Sequence, residues 1–286
     1  MRAMNRPTQD AEQVFAMCIG SISNYDLQSR LGAISATLRD EGADYDARAL
    51  TGELYRIQAD RNPNESIVRG AVTKAELKSV YSDHMVAKSK QARNIYQALL
   101  DQAPLGLCPN CGFGHAETLD HYLSKAGYPQ FSVLPANLVP ACARCNHGKL
   151  DSVATTAGQQ PLHPYFDHGH FISQQWLFAE VQETSPPTVR YMVIPPRYWN
   201  DISKERVFSH FNGYQLSKRF SVQATSEFAI LRQTLTMFCT DDEARRRRLL
   251  EYAMVFRSLH VNCWRTAMYD ALAQSAWYCR EGFATG

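Results

Sequence analysis

LCPNCGFGHAETLDHYLSKAGYPQFSVLPANLVPACARCNHGK, residues 107–149, decides how this chain is read. It holds two Cys-x-x-Cys pairs, Cys108/Cys111 and Cys142/Cys145, with thirty residues between them. Four thiolates in this pattern suit a tetrahedral Zn²⁺, each pair presenting two sulfurs to one ion. Four unpaired thiols would leave the paired spacing unexplained. A zinc with four cysteine ligands has no open coordination position, so its expected role is structural. Its binding energy then becomes part of the folding energy of the segment. The gap is longer than that of a usual zinc ribbon, so the pairs are expected to display something between them.

Two residues in that loop, Asp120 and His121, stand side by side, and Asn146 follows Cys145 directly, where an ion would fix its backbone. A carboxylate and an amide oxygen are hard donors that suit Mg²⁺, and Mn²⁺ is tolerated by the same set. A neutral histidine can take a proton from water near neutral pH. Together these are the parts of metal-assisted phosphodiester hydrolysis. An Asp-His pair alone is more often a capped turn beside a surface histidine; the cysteine frame raises its weight.

The run CPNCGFGHAETLDHYLSK…FSVLPANLVPACARCNHGK resembles the HNH (ββα-metal) nuclease motif, in the subclass with a four-cysteine zinc and a DH…N…CxxCN pattern. The resemblance implies an α+β, mainly helical fold, with a zinc-stapled ββα-metal module embedded in a helical frame. It implies an endonuclease acting on DNA, with RNA as an alternative substrate, and a 5′-phosphate and 3′-hydroxyl in the product. By position, His121 is the general base, Asp120 and Asn146 hold one Mg²⁺ or Mn²⁺, and Asn137 orients the hairpin. Lys149 falls at a frequent phosphate-contacting position. The usual DHYLPK form is altered at Ser124, and CNHGK supplies no third carboxylate, which leaves His147 or His163 as further candidates for metal or phosphate. A looser likeness of the flanking ARNIYQALL and HPYFD segments to HNH proteins of bacterial anti-phage systems implies an anti-phage defence effector, and because an unregulated nuclease would harm its host, a regulatory protein partner from such a system is expected. The rival readings are a non-catalytic zinc-stabilised module that only binds nucleic acid, and a subunit whose site has decayed.

Outward from the motif, three regions are expected: helices over 1–103, the cysteine-framed module over 104–160, and a β-hairpin followed by helices over 161–286. Apolar residues recur at helical spacing in AEQVFAMCIGSI, in YDLQSRLGAISATLRD and across 73–102, with Thr73 and Glu76 set as a capping box. ADRNPNES (59–66) reads as a loop. QQWLFAEVQE and TVRYMVIPP flank TSPP as a hairpin, Asn212-Gly213 is expected to break the helical pattern that follows, and Asp241 to cap the last one. The module region is too short for a core of its own and is expected to need a staple.

Composition bounds the rest. Hydrophobic residues at 45% and charged residues at 20% are ordinary for a globular chain, and no apolar run is long enough to span a membrane. The N-terminus has no apolar signal segment, so the expected place is the cytoplasm, away from membranes. A net charge of +2 neither demands nor excludes nucleic acid. The run ARRRRLL (244–250) tempts a DNA-binding reading, but successive helical residues point in different directions, and a solvated face with acidic neighbours is expected. Cys18, Cys239, Cys263 and Cys279 read as small buried hydrophobes.

Overall fold

In the first part of the chain, polar side chains start the helices. Asp10 accepts a hydrogen bond from the Gln13 amide at 2.9 Å and opens α1, Ala11–Gly20. Asn24 accepts from the Leu27 amide and opens α2, Tyr25–Ala33. The pattern expected to continue to residue 40 is interrupted at Ile34, whose buried side chain anchors the joint, and α3 then runs Ser35–Thr51. Strands β1 (Ile67–Arg69) and β2 (Val72–Thr73) pair around a turn at Gly70, and the expected capping box of Thr73 and Glu76 opens α4, Lys74–Ser79. A π-helical turn, Val80–Met85, follows directly. The helix expected across 73–102 is broken here, where Lys88, Ser89 and Gln91 are exposed and the Lys90 ammonium donates to the Ser21 carbonyl; it resumes as α5, Arg93–Leu100. The structure, a computed structural model, describes residues 1–148 and 153–285.

The chain forms two compact units, Arg2–Asp167 and His168–Gly286 with Met1. Residues 104–160 lie in the first, together with the helices that precede them. There β3 (Thr118–His121) pairs antiparallel with β4 (Leu138–Ala141), Asp120 opposite Val139 and His121 opposite Leu138. The short helix α6, Ala143–Gly148, begins immediately after the second strand. All four residues of β4 are buried, and its neighbours Leu138 and Val139 enter different apolar clusters. One cluster draws on α1 and α5 through Val14, Phe15, Tyr96 and Leu99; the other on α3 through Tyr45 and Ala49. A hairpin buried on both faces shows no alternating pattern, which is why its strands are hard to read from sequence.

The second unit uses longer elements. After α7 (His170–Ser173), β5 (Leu177–Gln182) and β6 (Thr188–Val193) form the expected hairpin, with six paired positions. Helix α8 spans Asp201–Gly213 and ends at the expected Asn-Gly break; α9 spans Leu216–Phe238. The Ser217 and Ser221 hydroxyls donate to the Tyr191 and Val189 carbonyls and fix α9 on β6. Asp241 caps α10 (Asp242–Leu259) through the Ala244 amide, and α11 (Trp264–Gln274) and α12 (Ala276–Arg280) complete the unit. No helix among the described residues is long and apolar enough to cross a membrane.

Candidate functional site

The four cysteines of the two pairs are buried, and their sulfurs all lie within 4.8 Å of one another. Cys111 Sγ and Cys142 Sγ are 3.8 Å apart. A tetrahedral zinc with arms of about 2.3 Å sets its sulfurs about 3.8 Å apart, so the cluster fits a structural metal such as zinc. Backbone turns shape it from both ends. Gly112 takes a φ of +76° while its amide donates to the Cys108 carbonyl, and the amides of Cys145 and Asn146 donate to the Cys142 carbonyl. The second pair is therefore also the opening of α6. Gly114 donates its amide to Cys111 Sγ, and a Cβ there would sit 2.9 Å from Cys142 Sγ, so only glycine fits. Hydrogen bonding among the thiols, from Cys108 first, pulls Cys111 down to about 6 and Cys142 further, while Cys108 and Cys145 are raised.

A two-stranded hairpin of this length leaves backbone groups on its outer edges, and tyrosines take several of them. Tyr81 donates its hydroxyl to the Leu119 carbonyl at 3.1 Å, and Tyr96 accepts from the Leu119 amide at 3.3 Å. On the other strand, Tyr165 donates to the Leu138 carbonyl at 2.8 Å. Burial keeps the Tyr81 and Tyr165 phenols well above their ordinary range, so they act as neutral donors. Asn137 binds the long loop to the hairpin. Its Oδ1 accepts from the Leu123 amide at 2.7 Å, and its Nδ2 donates to the Leu123 and Phe131 carbonyls. The Tyr45 hydroxyl donates to the same Oδ1 at 3.2 Å.

In front of this frame lies a cavity of about 250 Å³, lined among others by Asp120, His121, Asn146, Lys78 and Lys125. Three sequence-predicted residues thus meet in one place. His121 is buried, and its Nε2 lies 2.8 Å from the Ser132 carbonyl. A carbonyl only accepts, so Nε2 carries the proton and, in the neutral ring, Nδ1 has the basic lone pair. Tyr81 meets the imidazole edge-on, with centroids 4.4 Å apart, and fixes the ring plane. Asn146 Nδ2 donates to Thr118 Oγ1 at 3.0 Å, so the amide oxygen is the side-chain atom that could ligate a cation. Thr118 and Asp120 sit two apart on β3 and so share a strand face, which brings Asn146 to the side of the carboxylate.

The remaining candidates lie elsewhere. Asn137 is fully buried behind the cavity as a brace. His163 does not line the cavity: Nδ1 accepts from the Tyr165 amide, Nε2 is 3.1 Å from the Tyr45 hydroxyl, and the ring stacks on Tyr122 at 4.0 Å. His147 is exposed on α6 and also does not line the cavity. Lys149 lies outside the described residues. Among the described residues, the four cysteines are the sole group of three or more His, Cys, Asp or Glu side chains that could hold an ion, and Asp120 is the one carboxylate lining the cavity. Sequence reading missed Tyr81, Lys78 and Lys125. Lys125 closes the DHYLSK run and carried a signal; Tyr81 and Lys78 come from a helical segment forty residues upstream and carried none.

No family model matches the chain, and no solved structure matches it. It is similar to protein ea31 of Escherichia phage lambda, with 29% identity over 228 residues, which cover 78% of this chain and 76% of that protein.

Proposed function

We propose that this chain is a metal-dependent endonuclease of the HNH type that hydrolyses phosphodiester bonds in DNA. The observation that carries the reading is the meeting of Asp120, His121 and Asn146 in one cavity, with His121 held by Ser132 in the tautomer a base requires. The hairpin followed at once by α6, with a cysteine pair at each end of the segment, agrees with a ββα-metal module. Zinc held by the four cysteines would tie the hairpin and α6 in register.

His121 Nδ1 takes a proton from water, whose oxygen forms a bond to phosphorus as the bond to the 3′-oxygen breaks. The leaving oxygen takes its proton from solvent, giving a 5′-phosphate and a 3′-hydroxyl. The Ser132 carbonyl and the Tyr81 ring hold the imidazole in place while its charge changes. The Asp120 carboxylate and the Asn146 amide oxygen would hold Mg²⁺ or Mn²⁺, which when bound offsets the charge that builds on the phosphate. That Asp120 is the one carboxylate lining the cavity among the described residues favours, as a second reading, a module that binds nucleic acid without cutting it.

Purified protein and the His121→Ala variant, incubated with supercoiled plasmid in Mg²⁺, in Mn²⁺ or without divalent ions, separate the two readings. Nicking or linearisation by the wild type, needing the divalent ion and falling roughly 10²–10⁴-fold in the variant, is the expected outcome. Full activity in His121→Ala would sink the mechanism. Binding without cleavage in every condition would favour the second reading.

A further inference from the structure

Lys78 and Lys125 reach the same cavity from different parts of the chain, one from α4 and one from the loop after β3. Both are half-buried, and among the described residues neither forms an ion pair. Lys125 Nζ donates to Ser82 Oγ at 2.9 Å and sits 5.0 Å from the centre of the Tyr81 ring, so its position is fixed by neutral partners. Lys78 Nζ donates to Asn64 Oδ1 at 3.1 Å, again a neutral partner. Burial and the charge of Lys78 lower the pKa of Lys125, with only partial compensation from Asp83. Two ammonium groups beside one cavity, neither held in an ion pair, outnumber its one carboxylate, Asp120, and fit an anion there.

A second depression, of about 340 Å³, shares Tyr55, Val153 and Ala154 with the first and is lined further by Arg56 and Arg61. Arg56 is already engaged, with Glu53 at 3.1 Å and with the Tyr55 hydroxyl. Arg61 is exposed and forms no ion pair among the described residues. The two depressions, which share lining residues, have the basic and aromatic character of a single-strand path.

Resting on the nuclease reading above, we infer that Lys78 and Lys125 form the phosphate clamp of the site, and that one substrate strand runs from them past Tyr55 to Arg61. The clamp is positioning machinery: the lysines hold non-bridging oxygens so that the phosphorus faces His121. It also gives the N-terminal helices a part in function, since α4 supplies Lys78 and the π-helical turn supplies Ser82 and Tyr81, which seat Lys125.

The test is salt-dependent binding of a short labelled single-stranded oligonucleotide, as DNA and as RNA of the same sequence, measured by fluorescence anisotropy. The His121→Ala protein serves as the common background, so that cleavage does not consume the probe. Each of Lys78→Gln, Lys125→Gln and Arg61→Gln is expected to lower the slope of log affinity against log salt by about 0.7, the value for one phosphate contact on a single strand. Lys125→Arg keeps the charge and should keep the slope, an outcome that mere loss of packing would not produce. Unchanged slopes in the glutamine variants, or no binding of either probe, would overturn the clamp. Binding with these slopes, paired with unimpaired cleavage in His121→Ala, would leave the clamp standing while the catalytic reading fell.

Discussion

Asn137 in the first unit and Asn262 in the second each spread one amide over several backbone groups. Asn137 joins the Leu123 amide and carbonyl and the Phe131 carbonyl; Asn262 accepts from the Trp176 and Leu177 amides and donates to the Phe171 and Gln174 carbonyls. Around Asn262 the chain is regular, with helices of 23 and 18 residues and six paired positions in its hairpin. Around Asn137 the hairpin has four paired positions, and the helix that follows has six residues. Long elements satisfy their own backbone groups, whereas short ones depend on side chains to do so. The first unit therefore draws on four cysteines, three tyrosines at the strand edges and Asn137. The same irregularity lets Asp120, His121 and Asn146 converge, because a loop held from several sides can present side chains that a regular element would separate.

The largest effect expected from this contrast comes from the cysteines. Cys145→Ser removes a ligand that also opens α6, and it should abolish zinc binding together with any cleavage. Metal binding in such sites is worth on the order of 10 kcal/mol of apparent free energy at neutral pH, so the segment around the cluster should lose its protection against hydrogen exchange. The second unit, which holds no part of the cluster, should keep its protection in α9–α11. Equal loss of protection in both units would break the comparison.

The two asparagines give a matched pair. Asn137→Ala and Asn262→Ala each strand several buried backbone groups and should each cost about 2–4 kcal/mol, read from urea unfolding. Only Asn137→Ala should also lower plasmid cleavage, since the loop it ties carries Ser132, the partner of His121. Comparable loss of activity in a folded Asn262→Ala protein would show that the site depends on both units.

Legibility in the sequence followed the same division. The cysteine pairs, Asp120-His121 and Asn146 were readable because covalent spacing and donor chemistry constrain them locally. Caps at Thr73 and Asp241 and the Asn212-Gly213 break were readable for the same reason: each is a short-range effect. Asn262 escaped notice although it makes four backbone hydrogen bonds, because its partners lie some 85–91 residues away in sequence. Tyr81, Tyr96 and Tyr165 escaped it too; a tyrosine that hydrogen-bonds a strand edge looks like any apolar core residue until the strand is placed. The break after the π-helical turn was hidden by good helical periodicity on both sides. His163, a candidate ligand by sequence, is placed by Tyr45, Tyr122 and Tyr165 in an aromatic cluster that no spacing rule reveals.

A smaller effect sharpens the account of how α4 is anchored. Glu76 takes two hydrogen bonds from the Arg30 guanidinium and also holds the Thr73 amide, and these, Arg30 first, lower its carboxyl to about 2. A carboxylate depressed in the folded state stabilises it above the unfolded value of about 4.3, and that contribution is lost as pH falls through the folded value. The stability gap between wild type and Glu76→Gln should therefore be constant above pH of about 5 and close as pH drops toward 2. It should be smaller than either asparagine effect, because water reaches and screens the pair. A gap that persists unchanged at low pH would mean that the pairing contributes little.

The smallest effect is expected where the sequence looked most like a nucleic-acid surface. In ARRRRLL, Arg246 lies 3.7 Å from Glu243 and Arg248 2.9 Å from Glu251, while Arg245 packs over Phe283 and donates to the Cys279 carbonyl. Arg246 and Arg248 thus face acidic neighbours one turn away, as a solvated helix face does, and such pairs contribute little to stability. Replacing both by alanine should change stability by no more than about 0.5 kcal/mol and leave the salt slope of oligonucleotide binding unchanged. The contrast with Lys78 and Lys125 rests on partners: a charge already met by a carboxylate releases few counterions when a phosphate arrives, whereas a charge held by neutral groups releases its full share. A slope that fell by about 1.4 in the double arginine variant, the value for two contacts, would move the binding surface to the second unit and reverse the comparison.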